Sequence, residues 1–278
     1  MAFDLTYLSL GAGVQSTALY LLAEHGLCGI ERPDIAIFAD TGDEAPWTYE
    51  TLWKLQERGK IPILIAQAKG MIVSGVNYFW IPAYTEGSGQ LPRQCTRDLK
   101  IAAINRTLRE YLHYIPRQRM KHSILGYIGI SYDENQRWAA AREPWLTYDY
   151  PLLRKKITRE ECEVIISTLA PWLGTVKKSS CVMCPYHSNK EWRDVFRAGL
   201  KDKVVAFDEA IRDSTKAGCE RQVFLHRTCK PIADAIPNDN QTTFGYQCNN
   251  CFMGIVSRPD DPAMTWLTKG GKHGAQTH

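Results

Sequence analysis

At 278 residues, 31.6 kDa and 44% hydrophobic content, the chain is long enough to bury a sizeable core without disulfide or metal staples. Its longer apolar runs, Ser123–Ile130 among them, fall short of a membrane span, and the first residues enter a strand-like pattern rather than a charged-then-apolar leader; a cytoplasmic chain with no membrane contact is expected. Nine cysteines, an odd number, argue against a disulfide framework and for metal binding or thiol chemistry, while a formal charge of +4 permits a nucleic-acid partner without requiring one.

In chain order, Leu5–Leu10 reads as a strand, and Gly11 and Gly13 then remove side chains where backbone amides must approach an anion. Ser16 and Thr17 put hydroxyls at the start of a following helix, whose positive dipole end favours phosphate. The loop has no lysine for a Walker pattern, and Ser16 stands where a dinucleotide fingerprint needs its third glycine. Further strands are expected over Ile35–Ala39, Pro62–Ala66 and Ile124–Ser131. Amphipathic helices are expected over Thr48–Arg58 and Leu99–Tyr114, the latter with Ile101, Ile104, Leu108 and Leu112 on one face. This alternation predicts an α/β fold: a parallel sheet flanked by helices, with ligands beyond the carboxyl ends of the strands.

After Pro151 helices dominate, and Thr158 with Glu161 and Ser188 with Glu191 have capping-box spacing. The expected division is a core over residues 1–150 and a mostly helical, cysteine-containing C-terminal region over 151–278, irregular after about Ala235. Cys181 and Cys184 form a Cys-x-x-Cys pair before a capped helix, beside Lys177 and Lys178, a setting that lowers thiol pKa and lets two thiolates face one metal. Cys248 and Cys251 make a second such pair, too far along the chain for a zinc ribbon but compatible with a discontinuous site. Cys28, Cys162, Cys219 and Cys229 stand alone and read as packing thiols, and His187 and His226 as capping or packing residues. The basic and aromatic run Arg106–His122 suits a solvated helix face and loop as well as a nucleic-acid track.

The loop Gly11-Ala12-Gly13-Val14-Gln15-Ser16 resembles the Ser-Gly-Gly-x-Asp-Ser loop of the PP-loop ATP pyrophosphatases (adenine nucleotide alpha hydrolases), with departures at Gly11, Ala12 and Gln15. Three more segments, in the order of that superfamily's phosphoadenosine phosphosulfate (PAPS) reductase-like branch, resemble it: "IFADTGDE" (Ile37–Glu44), "QCTRDLKI" (Gln94–Ile101) and "GISYDENQR" (Gly129–Arg137). Together they cover most of residues 5–155. The resemblance implies cleavage of ATP between its α- and β-phosphates, giving an adenylated intermediate and pyrophosphate. On that reading Gly11, Ala12, Gly13, Val14, Gln15, Ser16 and Thr17 hold the phosphates, with Asp40, Thr41, Gly42, Gly129 and Glu134 completing the nucleotide site. Ser16, Lys100, Arg137 and Cys95 are the implied catalytic set, and Asp40 contacts either Mg²⁺ or the ribose.

For the thiols, the same resemblance implies an iron–sulfur cluster on Cys95, Cys181, Cys184 and Cys251, with zinc as the alternative metal. An adenylating core beside cysteines argues for sulfur incorporation. The chain lacks the C-terminal Glu-Cys-Gly-(Leu/Ile)-His motif of sulfonucleotide reductases, and "GAGVQST", "QCTRDLKI" and "CVMCPYHSNKEW" look most like the ATP pyrophosphatases of DNA phosphorothioation. Implied partners are DNA, a cysteine desulfurase as sulfur donor and other subunits of a modification complex, with a homo-oligomer also compatible. tRNA thiolation, PAPS reductase-type sulfur metabolism and a non-catalytic nucleotide-sensing or DNA-binding module are the competing readings.

Overall fold

Strand β1, Leu5–Leu10, and helix α1, Val14–Glu24, are buried along nearly their whole lengths. Helix α1 carries no charge before Glu24, and a helix apolar on every side belongs inside a layered fold. Ile35–Asp40 (β2), Pro46–Arg58 (α2) and Ile63–Gln67 (β3) continue the alternation. Then come the two-residue strands Tyr84–Thr85 (β4) and Gly89–Gln90 (β5), helix Ala102–Tyr111 (α3), and strands Ile124–Ile128 (β6) and Leu146–Asp149 (β7). The structure, a computed structural model, describes residues 2–68, 81–87, 89–213 and 221–237.

Strands β3-β2-β1-β6-β7 form, in that order, a five-stranded sheet, parallel throughout. The chain moves outward from β1 to β3 and returns on the other side of β1 as β6. The order therefore reverses between β1 and β6, the point where an open α/β sheet leaves a crevice beyond its carboxyl edge. Leu5, Tyr7, Ile35, Ile37 and Ile124 cluster with Ala103, Ile104 and Leu108 of α3 on one face. The alternate residues Leu8, Leu10, Ala36 and Phe38 are equally buried, as a sheet covered on both faces requires.

Beyond the sheet lie Pro151–Arg154 (α4), Arg159–Leu169 (α5), Asn189–Val195 (α6), Lys201–Ala210 (α7), Val223–Phe224 (β8) and Ile232–Ala235 (α8). Helix α5 packs along α1, and both expected capping boxes are formed, at Thr158 with Glu161 and Ser188 with Glu191. Strand β8 pairs antiparallel with β4, and β4 with β5. A second core gathers Ile81, Ala83 and Leu99 with Val182, Trp192, Val195 and Val223, so sequence from both sides of Pro151 builds it. Asp208, almost fully buried, fixes this part by accepting the amides of Leu225 at 2.8 Å and Ile232 at 2.9 Å. By its contacts the chain falls into Met1–Pro237 and Asn238–His278, the second outside the described residues. Among those described, no helix is long and apolar enough to cross a membrane.

One expected helix is built differently. Where Leu99–Tyr114 reads as a single helix, Thr96–Ile101 is a π-helical turn, closed by the Ala102 amide on the Arg97 carbonyl, and only then does α3 begin. The wider turn buries Leu99 in the second core while Lys100 lines a cavity, two demands a regular helix meets poorly.

Candidate functional site

The loop between β1 and α1 is shaped by close approach. A Cβ on Gly13 would stand 2.8 Å from the Ser179 amide nitrogen, and one on Gly129 2.8 Å from the Ser16 Cα, so both positions exclude side chains. Ala12 takes φ 50°, in the left-handed region. No side chain caps the N-terminus of α1, leaving its first amides for an anion. The Ser16 hydroxyl accepts from the Gly11 amide at 3.1 Å and donates to the Gly13 carbonyl at 3.3 Å.

A cavity of about 770 Å³ opens here, at the β1–β6 crevice, a size that suits a nucleotide. Its walls include Gly11, Gly13, Gln15 and Ser16 from the loop, Cys95 and Lys100 beside α3, and Gly129, Glu134 and Arg137 after β6, together with Arg93, Arg159, Lys178, Ser179, Ser180, Cys181 and Cys184. All four residues expected to be catalytic, Ser16, Lys100, Arg137 and Cys95, thus share one cavity. Of the expected nucleotide contacts, Ala12, Val14 and Thr17 are buried and, like Asp40, Thr41 and Gly42, are not among the lining residues.

Asp40 serves the turn after β2. One carboxylate oxygen accepts from the Gly42 amide at 2.8 Å and the Tyr49 hydroxyl at 2.7 Å, the other from Gln67 at 3.2 Å. The contact from this segment to the site runs through Glu44, which sequence reasoning passed over. Its buried carboxylate accepts from the Thr41 hydroxyl at 3.0 Å and pairs with the Lys100 ammonium at 2.8 Å. Burial pulls the Lys100 pKa down, but Glu44, then Cys181 and Cys95, outweigh it and hold the lysine above its usual value, charged. Arg137 pairs with Glu134 within the cavity wall.

Backbone pairing fixes the thiols. The Ala45 amide donates to the Ser180 carbonyl at 3.0 Å and the Val182 amide to the Asp43 carbonyl at 2.8 Å, so the cysteine segment lies along the loop after β2. The hydrogen bond from Cys181 lowers Cys184 to about 7, against burial and with help from the Tyr186 backbone, Lys178 and Arg93. The same bond and burial push Cys181 well up. Of the two thiols, Cys184 is the more easily ionised. His187 accounts for itself by packing, its Nε2 3.0 Å from the Cys181 carbonyl and its ring against Trp192 at 4.6 Å. Burial raises the lone Cys162 to about 12, as an inert packing thiol should be.

For a metal, the chemistry of the donors is suitable but their arrangement is not: among the described residues no group of three or more His, Cys, Asp or Glu side chains is gathered to hold an ion. Cys95 lines the same cavity as the pair without joining such a group, and Cys248, Cys251 and Cys219 lie outside the described residues. The described thiols by themselves do not form a zinc or iron–sulfur centre.

Ser179 and Ser180 immediately precede Cys181, and that adjacency was their available signal. Arg159 had none, because its partner in the loop is 144 residues away in sequence.

Fold and site together define a doubly wound α/β protein with a glycine loop and an uncapped helix start at its switch point and a dithiol in the same cavity. Neither a protein-family model nor a curated protein matches the chain. Among solved structures it is similar to the phosphoadenylyl-sulfate (PAPS) reductase from Candida auris in its phosphate complex, with 14% identity, a TM-score of 0.41, and 60% of this chain and 73% of that one covered. A likeness at that level carries no argument about activity.

Proposed function

We propose that the chain is an ATP pyrophosphatase that adenylates an acceptor oxygen for sulfur incorporation, the acceptor being a non-bridging oxygen of the DNA backbone. The observation that supports this most is the shared cavity: the glycine loop, the Lys100 cation and the Cys181–Cys184 pair all line it. The acceptor oxygen attacks the α-phosphorus, the α–β bond breaks, and pyrophosphate departs toward the amides of Gly11 to Ser16. Lys100 and Arg137 balance the charge that develops. Mg²⁺ entering with ATP would supply charge to offset the phosphates, and Glu134, the carboxylate among the lining residues, would help hold it. The outer sulfur of a persulfide on one thiol of the pair, loaded by a cysteine desulfurase, then attacks the activated phosphorus, and AMP leaves with the original oxygen. The second thiol attacks the inner sulfur, the S–S bond breaks to free the phosphorothioate, and the resulting Cys181–Cys184 disulfide is reopened by an external dithiol reductant. A nucleic-acid acceptor is favoured by the rim: Trp138, 62% exposed, follows Arg137, and Arg93 stacks on the half-exposed Tyr186 at 5.5 Å, an arrangement of cations and flat rings on which bases stack.

The test is pyrophosphate release from ATP and Mg²⁺ by anaerobically purified protein, with duplex DNA, with tRNA and with neither. DNA-stimulated release is expected, Gly13→Val abolishes it, and Cys181→Ser spares release while blocking sulfur incorporation. Stimulation by tRNA alone would move the acceptor to RNA. Tight nucleotide binding with no release under any condition would leave a nucleotide-sensing module instead.

A further inference from the structure

The loop's lack of a lysine leaves open which cation faces its anion, and the structure offers one from outside the loop. Gln15 lines the cavity with a neutral amide held at both ends: its Nε2 donates to the Ser131 hydroxyl at 3.5 Å, and its Oε1 accepts from Arg159 Nη1 at 3.4 Å. Arg159 opens α5 and lines the same cavity. Its backbone is anchored by the Asp133 carboxylate, which accepts its amide at 2.8 Å.

The other cations in this wall are matched differently. Lys100 faces the buried Glu44 at 2.8 Å, Arg137 pairs with Glu134, Lys178 pairs with Glu191 at 3.1 Å, and Arg93 lies over the Tyr186 ring at 5.5 Å. The ion-pair partner of Arg159 is Glu163, 3.6 Å away on its own helix and 57% exposed, a separation and exposure at which water screens most of the attraction. Its charge therefore stays largely uncancelled toward the cavity. A second, independent observation points to a ligand in this cavity. Ser180 lines the cavity at 7% exposure, and its buried hydroxyl has no hydrogen-bond partner, a condition native proteins rarely leave unrelieved.

We propose that Arg159 is the phosphate-binding cation the loop itself lacks, that Gln15 positions it, and that the Ser180 hydroxyl is a further donor to the same anion. A neutral residue at position 15 is then a requirement: a carboxylate there would pair with the guanidinium fork and withdraw it from phosphate. The identity of the anion, the pyrophosphate half of a nucleotide, rests on the function proposed above; the binding itself is tested without catalysis.

The probe is inorganic pyrophosphate, titrated calorimetrically into the full chain at low and moderate salt. Arg159→Gln is expected to weaken binding about tenfold to a hundredfold, the range of a lost charge-assisted contact. Arg159→Lys recovers part of the loss, since it restores charge without the fork. Gln15→Leu, which removes the positioning amide without adding charge, weakens binding by a smaller factor and adds little in the Arg159→Gln background, a coupling that a merely structural role would not produce. Unchanged affinity in a normally melting Arg159→Gln protein overturns the proposal. If that variant melts early, Gln15→Leu decides: wild-type affinity there overturns the proposal, and loss supports it. A wild-type chain that binds pyrophosphate but releases none from ATP overturns the proposed function and leaves this inference standing. One that binds no pyrophosphate overturns this inference.

Discussion

His226 is buried with both ring nitrogens engaged, by Thr228 at 2.8 Å and Asn189 at 3.0 Å. Burial, then Arg227, lowers its pKa below the ordinary 6.5, against the pull of Asp208. Between those two values the unfolded chain binds the proton that the folded chain refuses. The stabilisation is thus complete above about pH 6.5 and is lost as pH falls through the folded value. Melting temperatures measured between about pH 8 and pH 5 should decline toward acid, and His226→Gln should flatten the decline; a variant slope as steep as wild type would remove His226 as the cause. At this scale the sequence was legible where chemistry and spacing coincide. Cys95, Lys100, Cys181 and Cys184 reach the cavity as their motifs imply, whereas Asp40, in an equally suggestive motif, spends its carboxylate on Tyr49 and Gly42. A motif names the turn, and the partner across the fold decides which of its acids is drawn to the cavity-lining lysine.

The capping boxes show what an element can declare locally. Ser188 accepts from the Glu191 amide at 3.3 Å while Glu191 accepts the Ser188 amide at 2.7 Å, and both partners are read within one helical turn. Ser188→Ala should cost about 1 kcal/mol, lowering the melting point by about 2–4 °C in a chain of this size; calorimetry showing no shift would mean α6 is held by tertiary packing alone. Strands β1, β2, β3 and β6 were equally readable from their apolar runs. Strands β4, β5 and β8 were not, because two-residue strands have no period. The π-helical turn at Thr96–Ile101 was hidden for a different reason: Leu99 and Lys100 answer to two separate environments that only the assembled fold supplies.

At the scale of the whole molecule, the division expected near Pro151 describes composition better than cooperativity. A fragment of residues 1–150 would leave Ile81, Ala83 and Leu99 without Trp192, Val195 and Val223, and α1 without its neighbour α5. Such a fragment should show no sharp thermal transition by circular dichroism, while the full chain melts cooperatively; a sharp, native-like melt of the fragment would show that the first core suffices. The same interleaving bears on the order in which the molecule is made. The amide and hydroxyl of Ser123, beside β6, bond to Asp4, beside β1, across 119 residues of sequence, and closing so long a loop is entropically unfavourable until most of the intervening chain is in place. The crevice between β1 and β6 is therefore among the last features to appear during folding. A ligand seated in that crevice would find no early intermediate to guide, and would act instead as a latch that slows unfolding of the finished chain.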